Sequence, residues 1–213
     1  MERIREGAKD FSDIIFRDKP DETDDYAYLS PYYPTKMIVE MTEFSSYAQY
    51  FYYCFYKPWA SNYAEAIKGA STQGEIYNYV RRGPSLPNKY TGIWNQSKLQ
   101  IAWKGVEAKF GQNPELQKKL LQTGSRRLFY DCGDVYWGRK GKRGLNYLGK
   151  LIMKHREDVQ GKIMGDSDEE EEEKNAEFFP IGEELNGVDD DPDQVVMDVS
   201  EEFRGLLIEA CEK

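Results

Sequence analysis

One histidine and three cysteines in 213 residues are the first constraint. Cys54, Cys132 and Cys211 are odd in number and far apart, which argues against a disulfide framework and for a reducing compartment, cytoplasm or nucleus. His155 alone leaves no Cys/His spacing suited to a structural zinc, so no metal or cofactor is expected unless carboxylates alone hold an ion. No apolar run approaches the ~20 residues of a bilayer span, and no membrane partner is expected. Residues 1–11 alternate charged and apolar side chains without the apolar core of a secretory signal.

Aromatic residues, by contrast, make up 14% of the chain, although its mean hydropathy is -0.78. A division at Gly165 explains how both hold. Residues 166–213 carry 19 acidic and three basic residues, a net charge of -16, whereas the first 165 carry 26 basic against 19 acidic, a net of +7. Of the 30 aromatics, 27 lie in that basic body, and about 165 residues are enough to bury roughly two thirds of the unfolded surface. The tail contains six consecutive acids over 168–173; such runs repel themselves and stay solvated, so disorder is expected over 166–213. Within it, Phe203, Leu206, Leu207 and Ala210 are spaced for a short helix over 200–211. Ser167, followed by three acids, fits an acidophilic kinase site. Contact of the tail with the basic body, or with a basic partner, is the interaction its charge allows.

The spacing of the body predicts an α+β fold with helices outnumbering strands. Residues 1–25 end in a charged stretch around Pro20, read as a partly flexible loop. Residues 26–39 are aromatic and β-branched with Pro31 and Pro34 inside, so strands there should be short or at an edge. Ser46 precedes a dense aromatic run over 47–56, which as a helix would be buried nearly all round. A second helix is expected over 61–68. Leu99, Ala102, Trp103, Val106 and Phe110 give one apolar helical face over 97–110. Asn113-Pro114-Glu115 then starts a helix carrying Leu116, Leu120 and Leu121, with Gly124 at its end. Residues 127–131 read as a strand, and Asn146 as the cap of a helix carrying Leu148, Leu151 and Ile152.

Chemistry concentrates in residues 134–149. Gly138, Gly141 and Gly144 interleave with Arg139, Lys140, Lys142 and Arg143 ahead of the helix at Asn146. Unpaired amides and a helix dipole would favour an anion there, making a candidate phosphate cradle; the plainer alternative is a solvated loop. Asp134 beside Trp137 suits N-glycosidic cleavage: the carboxylate stabilises oxocarbenium-like charge or activates water while the ring stacks on the base. Alternatively, Asp134 caps a turn. Trp94 offers a second stacking surface and Lys98 a cation, although a tryptophan is more often core.

These residues carry a resemblance. Lys109-Phe110-Gly-Gln-Asn113-Pro-Glu-Leu116, Asp134-x-x-Trp137-Gly138, Gly144-x-Asn146-x-Leu148-Gly149 and Met153-x-x-Arg156 recur in the order of the NADAR, or YbiA-like, family. Leu29-Ser-Pro-Tyr-Tyr33-Pro34 resembles its LSNFYP element, and Trp94 and Lys98 match its W...K pair. The resemblance covers roughly residues 14–158. It implies a compact α+β, YbiA-like domain and N-glycosidase chemistry on a ribosylated base, either a ribosylamino-pyrimidine phosphate or ADP-ribosylated guanine in nucleic acid. It also implies roles for Tyr33, Trp94, Lys98, Asp134, Trp137 and Asn146. Where the family has a Glu-His pair on its aromatic helix, this chain has Ala48 and Gln49. General acid or base assistance is typically worth 10²–10⁴-fold, so that loss could silence the enzyme without harming the fold.

Three readings follow. The first is an N-glycosidase working through Asp134, with Arg81, Arg82 and the Gly138, Arg139 and Lys140 loop holding phosphate. The second is a catalytically degenerate module that binds ADP-ribose or a nucleotide. The third is an interaction protein working through its acidic tail.

Overall fold

The computed structural model describes residues 12–19 and 23–164. The expected tail disorder, the helix over 200–211 and Ser167 lie outside those residues. Among the described residues, six α-helices and two small sheets form in the order β1 (Ile14–Phe16), β2 (Met37–Val39), β3 (Thr42–Phe44), α1 (Tyr47–Tyr56), α2 (Ser61–Lys68), α3 (Gln73–Arg82), α4 (Asn88–Gly111), α5 (Pro114–Gln122), β4 (Leu128–Tyr130) and α6 (Tyr147–Met164). The fold is α+β and helix-rich, as the sequence predicts. Among the described residues no helix is long and apolar enough to cross a membrane.

The aromatic run forms α1 because Ser46, extended and buried, accepts a hydrogen bond from the Gln49 amide at 3.1 Å. Eight of its ten residues are buried, so α1 is the axis of the core. The long helix α4 crosses it at Gly105, where a Cβ would stand 2.8 Å from the Tyr47 ring and 2.9 Å from that of Tyr50. Only glycine permits that approach, and truncating a large ring such as Phe51 should cost about 3–5 kcal/mol. Helix α4 begins nine residues before the expected start at 97, because Pro87 at its N-cap presets the extended entry. Helix α3 was not anticipated. Its start is a capping box, in which Thr72 accepts from the Glu75 amide and the Glu75 carboxylate accepts from the Thr72 amide.

The sheets are minimal. β2 and β3 form an antiparallel hairpin whose turn residues, Glu40 and Met41, both have positive φ (49° and 59°). β1 pairs in parallel with β4, Ile14 opposite Leu128 and Phe16 opposite Tyr130, which ties the N-terminal segment to the far end of the body. Arg127 strengthens that tie with a two-point ion pair to Asp13. Lys109 is buried on α4, and its ammonium donates to the Ser30 carbonyl at 2.6 Å, fixing the loop that carries Pro31 and Tyr32. Burial with no acidic partner lowers its pKa to about 7.

Candidate functional site

A cavity of about 260 Å³ opens between α1, α3 and the segment following β4. Helix α1 contributes Tyr47, Ala48, Phe51 and Tyr52, whose spacing puts them on one face. Helix α3 contributes Tyr77, Val80 and Arg81 by the same rule. The opposite wall is Tyr130, Cys132, Gly133, Asp134 and Trp137, and Asp18 enters from the stretch after β1. Tyr32 meets Tyr77 edge to face at 5.4 Å, and Phe51 meets Trp137 likewise at 5.0 Å. The lining is therefore aromatic, with two carboxyl groups and one guanidinium.

Asp134 sits in a tight turn. Its Oδ1 accepts from the amides of Tyr136 at 2.7 Å and Trp137 at 3.1 Å, fixing the carboxylate at the cavity wall. The turn-capping role and the cavity-lining role are thus held by one side chain. Trp137 and the exposed Arg81 also reach the cavity. Lys98 stands 3.7 Å over the Tyr136 ring and donates to Asn95. Desolvation lowers its pKa, and attraction to Asp134 partly opposes this, so it borders the site without lining it.

Other expected residues lie elsewhere. Trp94 packs edge-on against Phe51 and Phe55 at 5.4 and 4.8 Å, one layer behind the cavity wall. Tyr33 packs on the core; its neighbour Tyr32 is the one that lines the cavity. Asn146, with φ of 55°, is buried: its amide donates to Leu128 O at 2.8 Å and accepts from the Tyr130 amide at 2.9 Å, so its hydrogen bonds go to β4. A Cβ at Gly149 would fall 2.4 Å from Leu128 O, and Arg156 donates to Thr123 and to Arg126 O. The block of motifs from Gly144 to Arg156 thus packs α6 onto β4 and the end of α5.

Several of the amides that the phosphate cradle expected at residues 138–144 would use already have partners. The first amides of α6, Tyr147 and Leu148, donate to Tyr136 O and Trp137 O, and the Gly138 amide donates to Asp134 O. Those donors are already used within the protein. Arg139 lies over the Phe129 ring at 3.7 Å, Lys140 and Arg143 close a tight turn, and neither Gly138, Arg139 nor Lys140 lines the cavity.

Asp18, in the charged stretch that the sequence marks only as loop, lines the cavity as well. Asp18 is half-buried, its Oδ1 accepts from the Tyr130 hydroxyl, and burial raises its pKa against that bond and against Lys19. Glu40 and Glu43, the acids nearest the aromatic helix in sequence, pair with Lys104 and Lys36 instead. Ala48 presents a methyl group to the cavity, and Gln49 turns away, its amide capping the end of α2 at Ile67, Lys68 and Ala70 carbonyls.

A family model, NADAR domain, matches residues 15–160. Over 110 residues the chain is 32% identical to the chloroplastic riboflavin biosynthesis protein PYRR of Zea mays, covering 50% of this chain and 18% of that protein. It is 36% identical over 91 residues to an N-glycosidase of Acanthamoeba polyphaga mimivirus, covering 37% of this chain and 54% of that one. The chain thus spans about half the length of the second relative and under a fifth of the first. The NMR structure of the E. coli protein YbiA superposes with a TM-score of 0.58 at 26% identity, over 79% of this chain and 96% of that one.

Proposed function

The chain belongs to the NADAR domain family, and we propose that it is an N-glycosyl hydrolase acting on a ribosylated base. The supporting observation is the aromatic cavity with Asp134 and Asp18 on its walls. Its volume, about 260 Å³, is at or below the lower end of small-molecule sites, which suits a base and ribose rather than a whole dinucleotide. Phosphates would then extend past the mouth to the exposed Arg81. Trp137 on the cavity wall supports stacking of the base, and the Asp134 carboxylate would stabilise the positive charge that develops at C1′ as the bond to nitrogen breaks.

Two substrate classes fit: ADP-ribosylated guanine, free or in nucleic acid, and a ribosylamino-pyrimidine phosphate. Chromatography of the released products, with the full chain and Asp134→Ala, tests both. Release by the wild type that vanishes in Asp134→Ala is the expected result. A second reading has its own observation, the Ala48 methyl where the family resemblance puts a carboxylate: a module that binds ADP-ribose without cleaving it. Calorimetric binding without turnover would favour it, and neither signal would remove both.

A further inference from the structure

The cavity holds a pair of carboxyl groups in unlike surroundings. Asp134 is exposed and its Oδ1 accepts two backbone amides. Asp18 is half-buried, and Oδ1 is taken by the Tyr130 hydroxyl, so Oδ2 is the oxygen left to carry a proton. We propose that Asp18 is the general acid of this site, protonating the departing base nitrogen. The proposal rests on the glycosidase reading above.

The placement of Asp18 is built into the fold. Two residues earlier, Phe16 pairs with Tyr130 in the β1–β4 ladder, and the Asp131 amide donates to Phe16 O at 2.8 Å. Ser30 Oγ donates to the Asp18 carbonyl at 3.0 Å, while Lys109 holds Ser30 from behind. A loop carboxyl anchored at both its backbone and its side chain is preorganised rather than incidental. Arg81 on α3 and Asp134 are the charged groups that share the cavity with it, and the rest of its surroundings are largely uncharged. Tyr32, Tyr52 and Tyr130 are all raised above the ordinary tyrosine range by burial, and Cys132 is raised to about 11 for the same reason. Lys19 is the cation that favours the ionised form, and Tyr130's bond does so too. Burial outweighs both and favours the acid.

The C1′–N bond breaks with its electron pair going to nitrogen, which takes the proton from Asp18 Oδ2. The oxygen of water adds to C1′ and releases a proton to Asp134. Products are the free base and the ribosyl phosphate with a C1′ hydroxyl, and proton exchange with solvent restores Asp18 as the acid. One carboxyl that gives a proton to the leaving group and a second that takes one from water are the general arrangement for such chemistry.

The test is kcat against pH for the full chain on whichever substrate class the wild type cleaves. For the wild type, the rate should fall as pH rises through the raised pKa of Asp18. Asp18→Asn should lose about 10²–10⁴-fold and with it that limb. Tyr130→Phe keeps the carboxyl but removes a bond that stabilises its charge, so the limb should move to higher pH, a displacement that a merely structural role would not produce. Melting temperatures measured alongside separate misfolding from lost chemistry. Retained rate in Asp18→Asn, or an unmoved limb in Tyr130→Phe, would overturn the assignment and leave the glycosidase reading standing. A wild type that cleaves neither class would overturn both.

Discussion

Two stretches of this chain invite a functional reading, and they behave in opposite ways. The loop over 138–144 is rich in glycine, arginine and lysine, yet the amides of Gly138, Arg139, Lys140 and Arg143 are spent on Asp134, Tyr130, Arg143 and Lys140 carbonyls, and Arg139 lies on Phe129. The charged stretch after β1 is unremarkable in sequence, yet it delivers Asp18 into an aromatic cavity against Tyr130. Residue type marks where chemistry can happen. Whether a donor or acceptor is already occupied decides where it does.

The contrast can be broken at several points. The largest effect is expected for Asp134→Ala, a fall in turnover of about 10²–10⁴-fold with only a modest drop in melting temperature, because the side chain is exposed and what is lost from the fold is two turn hydrogen bonds. Arg81→Ala should weaken binding of phosphate-bearing ligands by roughly 10- to 100-fold, the range of a charge-assisted hydrogen bond of about 1.5–3 kcal/mol, while Arg139→Ala leaves it near wild type. Calorimetry with ADP-ribose separates the two.

Next, Gly144→Ala should destabilise the fold by about 1–3 kcal/mol in urea melts, since φ is 134° and the new Cβ would lie 2.3 Å from Gly138 O. That is a scaffold defect, and an active Gly144→Ala protein should keep the wild-type pH profile.

Lys109 sharpens the same comparison in stability. Its folded pKa is lowered to about 7 from 10.5, so the unfolded state binds more protons between those values and stability should rise with pH from about 7 towards 9. Below 7 both states are protonated and the penalty is fully present. Lys109→Met should flatten that rise in urea melts. Smallest is the tail: removing residues 166–213 should tighten binding of an anionic ligand a few-fold at about 50 mM salt, and less at about 200 mM, if it masks the body's charge.

The legibility of the fold follows from which signals are local. The aromatic helix capped by Ser46, the helix over Ser61–Lys68 and the Pro114 start ending at Gly124 were all readable, because a serine cap, a first-turn proline and apolar periodicity are signals within a few residues. Helix α3 had its signal too, Thr72 three residues before Glu75, but its low hydrophobicity hid it. The β2–β3 turn was unreadable: Glu40 and Met41 at positive φ carry no glycine or asparagine, and the conformation is supported at long range by Lys104 on Glu40. Of the site, Asp134, Trp137 and Arg81 were legible from residue type. Asp18 was not, because the β1–β4 pairing that places it joins residues more than 110 positions apart. Trp94 and Asn146 carried family signal for packing rather than for the cavity lining.

The most direct test of the contrast is a two-dimensional amide NMR titration of the full chain with ADP-ribose. Shifts at Ala48, Arg81, Gly133 and Asp134, with Gly141 and Lys142 unmoved, are expected if the cavity is the site. Shifts at Gly141 and Lys142 with the cavity amides unchanged would contradict it and return the basic loop as the place where the ligand binds.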